Sequence, residues 1–247
     1  MKKSLVVTLL GILAAGMTFA QSEETRNLSS FSEVSAQEGI DVYLKKGNKE
    51  EARVVARSVD LEDVLTEVSG GRLKIHLDGS RWRNVDVDVY VTYKSIDEIN
   101  ASSSGSITAE DPIEVDGDFE VGVSSSGDVR ATIKADELSI EASSSGDAVL
   151  NVEVDEIRAE VSSSGDVELE GTARIQDIEV SSSGDYDASD VDSEEAEASA
   201  SSGGSIKVKV SGKIDARASS GGSVRYGGNP KYVDVSSSSG GSVKRSY

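Results

Sequence analysis

Apolar and polar residues alternate along most of the chain, in short runs separated by serine and glycine. In the C-terminal two-thirds these runs share a motif, Ser-Ser-Ser-Gly or Ser-Ser-Gly-Gly, whose last glycine we take as an anchor. The anchors are Gly105, Gly127, Gly146, Gly165, Gly184, Gly204, Gly222 and Gly241. Their spacings are 22, 19, 19, 19, 20, 18 and 19 residues. The chain therefore contains an internal repeat with a period of about 19 residues.

Apolar residues hold fixed positions relative to these anchors. Two residues after the anchor stand Ile107, Val129, Ala148, Val167, Tyr186, Ile206, Val224 and Val243. Six and four residues before it stand pairs such as Ile99 and Ala101, or Ile178 and Val180. Alternation with period two is typical of a strand buried on one face, and a flexible Ser/Gly linker would not keep this register.

One repeat is too short for a crossover helix and lacks the two-residue turns of a meander. The pattern predicts an all-β fold, a β-helix or β-solenoid in which each repeat forms one coil on the last. The anchor glycine is predicted to supply a corner that needs a positive φ or a close backbone approach. The serine two residues before it is predicted to point inward and join a ladder of hydroxyls. Small core residues predict a thinner, less stable section near the C-terminus: Ala196, Ala198, Ala200, Ala216 and Ala218.

The chain divides into three segments by pattern. Residues 1–20 carry Lys2 and Lys3, an apolar run and a small-residue site before Gln21, which predicts a cleaved signal peptide. Residues 21–95 form an N-terminal β portion continuous with the solenoid, and residues 96–247 form the solenoid repeats. Strands are expected at 40–44, 52–59, 73–77 and 85–93, with a hairpin turn at Gly70-Gly71. A short helix within 60–68 is the alternative to a strand there.

The N-terminal portion resembles a known family. The residues that carry the likeness are Phe31-Ser32-Glu33-Val34, Glu38 to Leu44, Leu61–Val68, Gly70 to Ile75 and Val85-Asp86-Val87, followed by repeats such as Ser124-Ser125-Ser126-Gly127-Asp128. They are similar to the head GIN-domain family of auto-transporter adhesins, a domain of unknown function from Bacteroidetes-type bacteria. Asp41 departs from the family pattern, in which asparagine is expected. The resemblance implies a right-handed β-helix-like fold at the cell surface or in the periplasm.

Charge and composition narrow the partners. The chain has a net charge of −20 and a pI near 4.4, so nucleic acid and anionic lipid surfaces are unfavourable partners. It has no cysteine, and therefore neither a disulfide nor a lipid-modified cysteine. No later apolar run is long enough to predict a membrane span. Opposite charges at Asp187 and Lys207, three residues after successive anchors, predict cross-coil pairing.

Candidate chemistry is sparse. The single histidine, His76, lies in an alternating strand, so no catalytic and no cofactor-binding residue is predicted. One carboxylate recurs directly after four successive anchors, at Asp128, Asp147, Asp166 and Asp185. Stacked coils would hold these about 5 Å apart. Calcium would offset their repulsion, although the calcium-repeat signature G-G-x-G-x-D is absent. They are the only metal candidates.

These patterns predict an exported, non-catalytic β-solenoid that acts as a binding, adhesion or structural module of the cell envelope. The expected partner is a glycan or an envelope protein, and the location is the periplasm, the outer surface or the extracellular space. The alternative is a carbohydrate-active enzyme, a hydrolase or lyase, on a β-helix. An enzyme predicts a cleft where carboxylates converge beside aromatic residues, and a binding module predicts a continuous face.

Overall fold

A computed structural model describes residues 22–79 and 82–246, so the predicted signal peptide lies outside the described residues. The described chain forms nineteen strands, which hydrogen-bond into one sheet. They are β1 Ser22–Asn27, β2 Glu33–Ala36, β3 Asp41–Lys46, β4 Glu51–Ala56, β5 Val64–Ser69, β6 Arg72–Leu77, β7 Val87–Tyr93, β8 Glu98–Ala101, β9 Ser106–Ala109, β10 Ile113–Glu114, β11 Asp118–Val123, β12 Asp128–Ala142, β13 Asp147–Val161, β14 Asp166–Val180, β15 Asp185–Ala200, β16 Ser205–Ala218, β17 Ser223–Gly227, β18 Tyr232–Ser237 and β19 Ser242–Arg245.

The repeats are the coils of a β-solenoid, as predicted. Strands β12 to β16 pair parallel in sequence order, and between β12 and β13 each residue lies beside the residue 19 positions later. Each long strand bends once or twice: in β12 the buried positions change from odd (Val129, Ile133) to even (Leu138, Ile140) numbers. Two outward surfaces therefore recur along the repeats. The first face consists of the residues one, three and five after the anchor, and the second face of those seven, five and three before it.

The core is a narrow stack mainly of Val, Ile, Leu and Ala, with a few aromatic residues such as Phe119 and Tyr186, and the five predicted alanines are buried in it. Beside this alanine-rich section lies a buried polar chain. The hydroxyl of Tyr186 donates to Gln176 Oε1 at 2.9 Å, Gln176 Nε2 donates to Ser193 Oγ at 3.1 Å, and Ser193 donates to the carbonyl of Lys209 at 2.7 Å. Larger or polar groups thus fill space that alanine leaves.

The corners confirm the close backbone approach predicted at the anchor and correct the predicted direction of the serines. The serines two and one before the anchor are exposed, with φ of 52° and 60° at Ser144 and Ser145, and the anchor N–H of Gly146 donates to Ser143 O at 2.9 Å. This is the geometry of a type I′ turn, so the serines cannot point inward. The positive φ belongs to them, or to the glycine that precedes an anchor such as Gly204. The anchor itself is glycine because the backbone of the neighbouring coil passes too close for a Cβ atom.

The N-terminal portion forms the first coils in an order that differs from the chain order. Strand β2 lies between β6 and β8, and β3 lies between β7 and β9. The predicted hairpin joins β5 to β6 at Gly70-Gly71, and the alternative helix is reduced to a 3-10 turn at Leu61–Asp63. Strands β4 and β1 extend the sheet antiparallel beyond β7. This end of the solenoid therefore finishes in antiparallel strands outside the repeat.

Among the described residues, strand β18 pairs only with β16, and β19 only with β17. We call this the open end. Positions that are buried in every earlier coil are exposed here, with 49% of Val233 and 43% of Val235 accessible. The last described coil thus has exposed apolar side chains at positions that are buried in the preceding repeats.

Candidate functional site

One depression in the described structure is a groove on the second face, directly beside the serine corners. It has a volume of about 490 Å³ and is lined by residues of five consecutive coils. Its lining includes Glu160, Ser162, Glu179, Ser181, Ser199, Ser201, Arg217, Ser219, Ser236 and Ser238. With parallel strands about 4.8 Å apart, five coils span about 19 Å. We call this the corner groove.

The corner groove has room where the side chains in one row of residues are small. Five residues before the anchor, successive coils carry Glu160, Glu179, Ser199, Arg217 and Ser236, paired in that order. The two serines leave room on either side of Arg217, which itself binds Glu197 and Asp215 at 3.1 Å each. The corner groove is therefore hydroxyl-rich, with carboxylates at one end and a guanidinium near the other.

A second depression of about 440 Å³ continues the same face toward the N-terminus. It is acidic: Glu33 and Glu98 pair across β2 and β8, and Glu33 also binds Arg72. Burial, together with Glu98 and other nearby carboxylates, raises the pKa of Glu120 above its usual value. The second face therefore offers a polar track along most of the solenoid.

The predicted carboxylate ladder lies on the first face. Asp128, Asp147, Asp166 and Asp185 are direct partners in successive strands. Burial raises the pKa of Asp166, and the adjacent Asp185 and Asp147 raise it further. Within residues 22–79 and 82–246, no group of three or more His, Cys, Asp or Glu is positioned to hold a metal ion. Each coil offers one carboxylate to the ladder, and calcium binding by these four residues stays a prediction.

The cross-coil ion pair predicted from the sequence is present. Lys207 Nζ lies 2.6 Å from Asp187 Oδ2, and the two residues pair between β15 and β16. Burial alone would raise the pKa of Asp187, but the hydrogen bonds from Lys207 and Ser189 outweigh it and lower the pKa. This contact joins the acidic middle of the first face to its basic C-terminal end.

His76 lies in the β5–β6 hairpin and contacts residues of that hairpin. It lies on β6 opposite Leu65, its Nε2 is 3.2 Å from Glu67 Oε2, and its Nδ1 is 3.2 Å from the carbonyl of Leu77. No described hydroxyl is hydrogen-bonded to the ring. The arrangement is a cross-strand polar contact of the β5–β6 hairpin.

The sequence interpretation missed one surface cluster. Tyr43 on β3 and Tyr90 on β7 are cross-strand partners on the first face, and their rings stack with centroids 5.0 Å apart. The guanidinium of Arg53 on β4 covers the other side of Tyr90 at 3.9 Å from the ring centroid. The three strands lack the serine anchor, so only the shared hydrophobic alternation hinted at their common register.

The described residues include no helix long and apolar enough to cross a membrane. None of the curated proteins compared with the chain matches it. The fold, however, is shared with solved structures of Bacteroidetes proteins. A putative adhesin from Parabacteroides merdae is 18% identical with a TM-score of 0.84, and the match covers 92% of this chain and 96% of that one. A putative lipid binding protein from Parabacteroides distasonis is 23% identical with a TM-score of 0.81, covering 92% and 97%.

A putative adhesin from Bacteroides fragilis is 20% identical with a TM-score of 0.67, covering 94% of this chain and all of that one. At these identities the likeness establishes the fold and not the ligand. A family model described as putative auto-transporter adhesin, head GIN domain, matches residues 30–230, which include the N-terminal coils and most of the serine repeats. The chain belongs to this head GIN-domain family.

Proposed function

We propose that this protein is an exported, non-catalytic adhesion module that binds an extended polymer of the cell envelope, a glycan or a protein, along the corner groove. The observation that carries the proposal is the length of the groove, which crosses five coils and has one repeated serine in each: Ser162, Ser181, Ser201, Ser219 and Ser238. Such a site suits a ligand that is itself long and repetitive. The adhesin names of the family and of several fold relatives support the same role.

The chemistry of the corner groove favours binding over catalysis. Glu160 and Glu179 lie in one row on neighbouring strands and do not face each other across a cleft. No aromatic residue and no histidine is among the described residues that line the groove. Serine hydroxyls both donate and accept hydrogen bonds, so they can follow a polar chain without a strict sequence requirement. These features support a binding module over the alternative of a carbohydrate-active enzyme.

The proposal is tested with protein from Gln21 to Tyr247 and immobilised bacterial envelope fragments in a biolayer binding assay. Fragments are used untreated, after periodate oxidation, and after protease digestion. We expect saturable binding that one treatment removes, and the sensitive treatment identifies the polymer as glycan or protein.

A matched pair of variants locates the site. Ser199→Trp places a bulky ring in the corner groove and is expected to weaken binding at least tenfold. Thr172→Trp adds the same ring at an exposed strand position outside the groove and is expected to bind as the wild type does. Absence of binding to every preparation, or equal binding by the two variants, would refute the proposed role of the groove.

A further inference from the structure

The stacked tyrosines on the first face leave one ring surface open. Tyr90 lies between the guanidinium of Arg53 and the ring of Tyr43, so both of its faces are covered. The planes of the two rings are 17° apart, and their strands are adjacent, so the rings stack along the solenoid axis. The other side of the Tyr43 ring is consequently turned toward the next strand, β9.

The residue beside Tyr43 on β9 is too small to cover that ring. The partner of Tyr43 is Thr108, and the next residue in the same row is Arg130 on β12. Two strand spacings, about 9.6 Å, separate the positions of Tyr43 and Arg130. A single saturated ring needs about half of this on each side to stack. The row therefore contains a gap of one ring, with Tyr43 as its wall and Thr108 as its floor.

The basic groups around the tyrosines are paired with acids. Next to the row, a depression of about 250 Å³ is bordered by Lys45, Thr92 and Glu110, and Lys45 lies 3.7 Å from Glu110. On the other side of the row, Ser106 donates to Asp41 at 2.6 Å, and Arg57 binds Asp88 at 2.7 Å. Each of the three bases beside the tyrosines thus has a carboxylate partner: Lys45 has Glu110, Arg53 has Glu23, and Arg57 has Asp86 and Asp88.

This environment favours a neutral ligand rich in hydroxyl groups. Carboxylates beside ammonium and guanidinium groups can satisfy both the donor and the acceptor of a hydroxyl. Among the described residues, neither tyrosine hydroxyl has a hydrogen-bond partner. Burial and the nearby Asp88 and Asp41 raise the pKa of Tyr43, which keeps that phenol neutral.

We infer that the open face of Tyr43, with Thr108 beneath it and Glu110 and Lys45 beside it, is a subsite for one pyranose ring of a neutral glycan. The inference rests on the proposed binding role but concerns a different face from the corner groove. Aromatic side chains are scarce in this chain, at 4% of residues. The stacking of two of its seven tyrosines at one surface point is therefore the most specific recognition chemistry that the first face offers.

The test is saturation-transfer NMR and titration calorimetry of the wild-type protein with five neutral hexasaccharides, built from glucose, mannose, galactose, xylose or N-acetylglucosamine. We expect at least one to bind with transfer to ring C–H protons. Tyr43→Thr should weaken that binding about tenfold because it removes the stacking wall, and Tyr43→Phe should preserve it. Tyr232→Thr, at an exposed tyrosine of the open end, is the control and should bind normally.

A second variant distinguishes loss of the stacking contact in Tyr43→Thr from loss of protein stability. Thr108→Tyr keeps the wall but fills the gap with a third ring, and it should also abolish binding. Failure of all five sugars to bind, or unchanged binding in both Tyr43→Thr and Thr108→Tyr, would overturn the inference. The envelope-fragment assay measures binding at the corner groove separately. Envelope binding that depends on Ser199 but not on Tyr43, with no hexasaccharide bound, would leave the proposed function standing and remove the sugar subsite.

Discussion

The anchor glycines allow a sharp test of why the repeat is built as it is. An ideal Cβ atom on Gly165 would lie 2.7 Å from both the carbonyl carbon and the oxygen of Ala142 in the preceding coil. Both are backbone atoms, so no rotamer change can relieve the contact, and the two coils must separate at this corner. The same corner holds hydrogen bonds of 2.8 Å from Gly165 N to Ser162 O and 2.9 Å from Asp166 N to Gly146 O. We expect Gly165→Ala to cost about 3 kcal/mol of unfolding free energy, as overpacking against a rigid neighbour does.

Gly70→Ala is the matched control, because it tests the other reason for glycine. Gly70 has φ of +63°, and nothing lies within 4 Å of the position of its Cβ. The substitution therefore costs only the strain of a positive φ at alanine, about 1 kcal/mol of unfolding free energy. For a chain of this size, 1 kcal/mol corresponds to about 2–4 °C in Tm, so we expect losses of about 6–12 °C for Gly165→Ala and about 2–4 °C for Gly70→Ala. Thermal melts followed by far-ultraviolet circular dichroism measure both. A Gly165→Ala melt no lower than that of Gly70→Ala would refute the close-approach argument.

Three further changes test the electrostatics and the core. Asp166→Asn should raise Tm by about 1–2 °C at pH 7 and low salt, because like charges face each other across the ladder. The raised pKa of Asp166 means that the wild type gains this stability itself as pH falls toward that pKa. A calcium-induced rise in the wild-type Tm that Asp166→Asn abolishes would instead identify the ladder as a metal site. Lys207→Met should lower Tm at pH 7 by an amount that disappears in acid. The ion pair lowers the pKa of Asp187 from its usual value of 3.8. Its stabilising effect is therefore fully present above pH 3.8 and is lost as the pH falls through the lowered pKa. Tyr186→Phe should cost about 1–2 kcal/mol in urea unfolding, because it leaves Gln176 Oε1 without its buried donor; a change below 0.5 kcal/mol, on the order of a surface substitution, would contradict this account.

The repeat could be predicted because each coil carries its own markers. The anchor glycine, the apolar residues at fixed offsets and the parallel stacking together determined that Asp128 pairs with Asp147 and Asp187 with Lys207. The orientation of the corner serines could not be obtained in this way. Serine is rare at two successive positive-φ positions, where Gly and Asn are usual, so its propensity gave the opposite signal.

The first coils could not be recognised from the repeat, because different residues form their corner. Gln37-Glu38-Gly39-Ile40 makes the same turn as Ser-Ser-Ser-Gly, with φ of 61° at Glu38 and 74° at Gly39. The chain then leaves this coil and returns, so Tyr43 meets Tyr90 across 47 positions of sequence. No local pattern encodes a contact of that kind. The tyrosine row, and with it the inferred sugar subsite, therefore emerges only from the tertiary register.

The difference between the two ends links the fold to the proposed binding role. In a stacked repeat, stability is approximately the sum of coil terms and nearest-neighbour interface terms. Among the described residues the last coil stacks on one neighbouring coil, and its Val233 and Val235 are exposed. The two coils before it carry alanines (Ala198, Ala200, Ala216 and Ala218) where β14 carries Ile178 and Val180. We therefore expect opening to begin at this end. The corner groove runs from Glu160 to Ser238 and so reaches from well-packed coils into this weak one. A polymer bound along its length would tie the last coil to the stable ones, and part of its binding free energy would appear as protection of the open end.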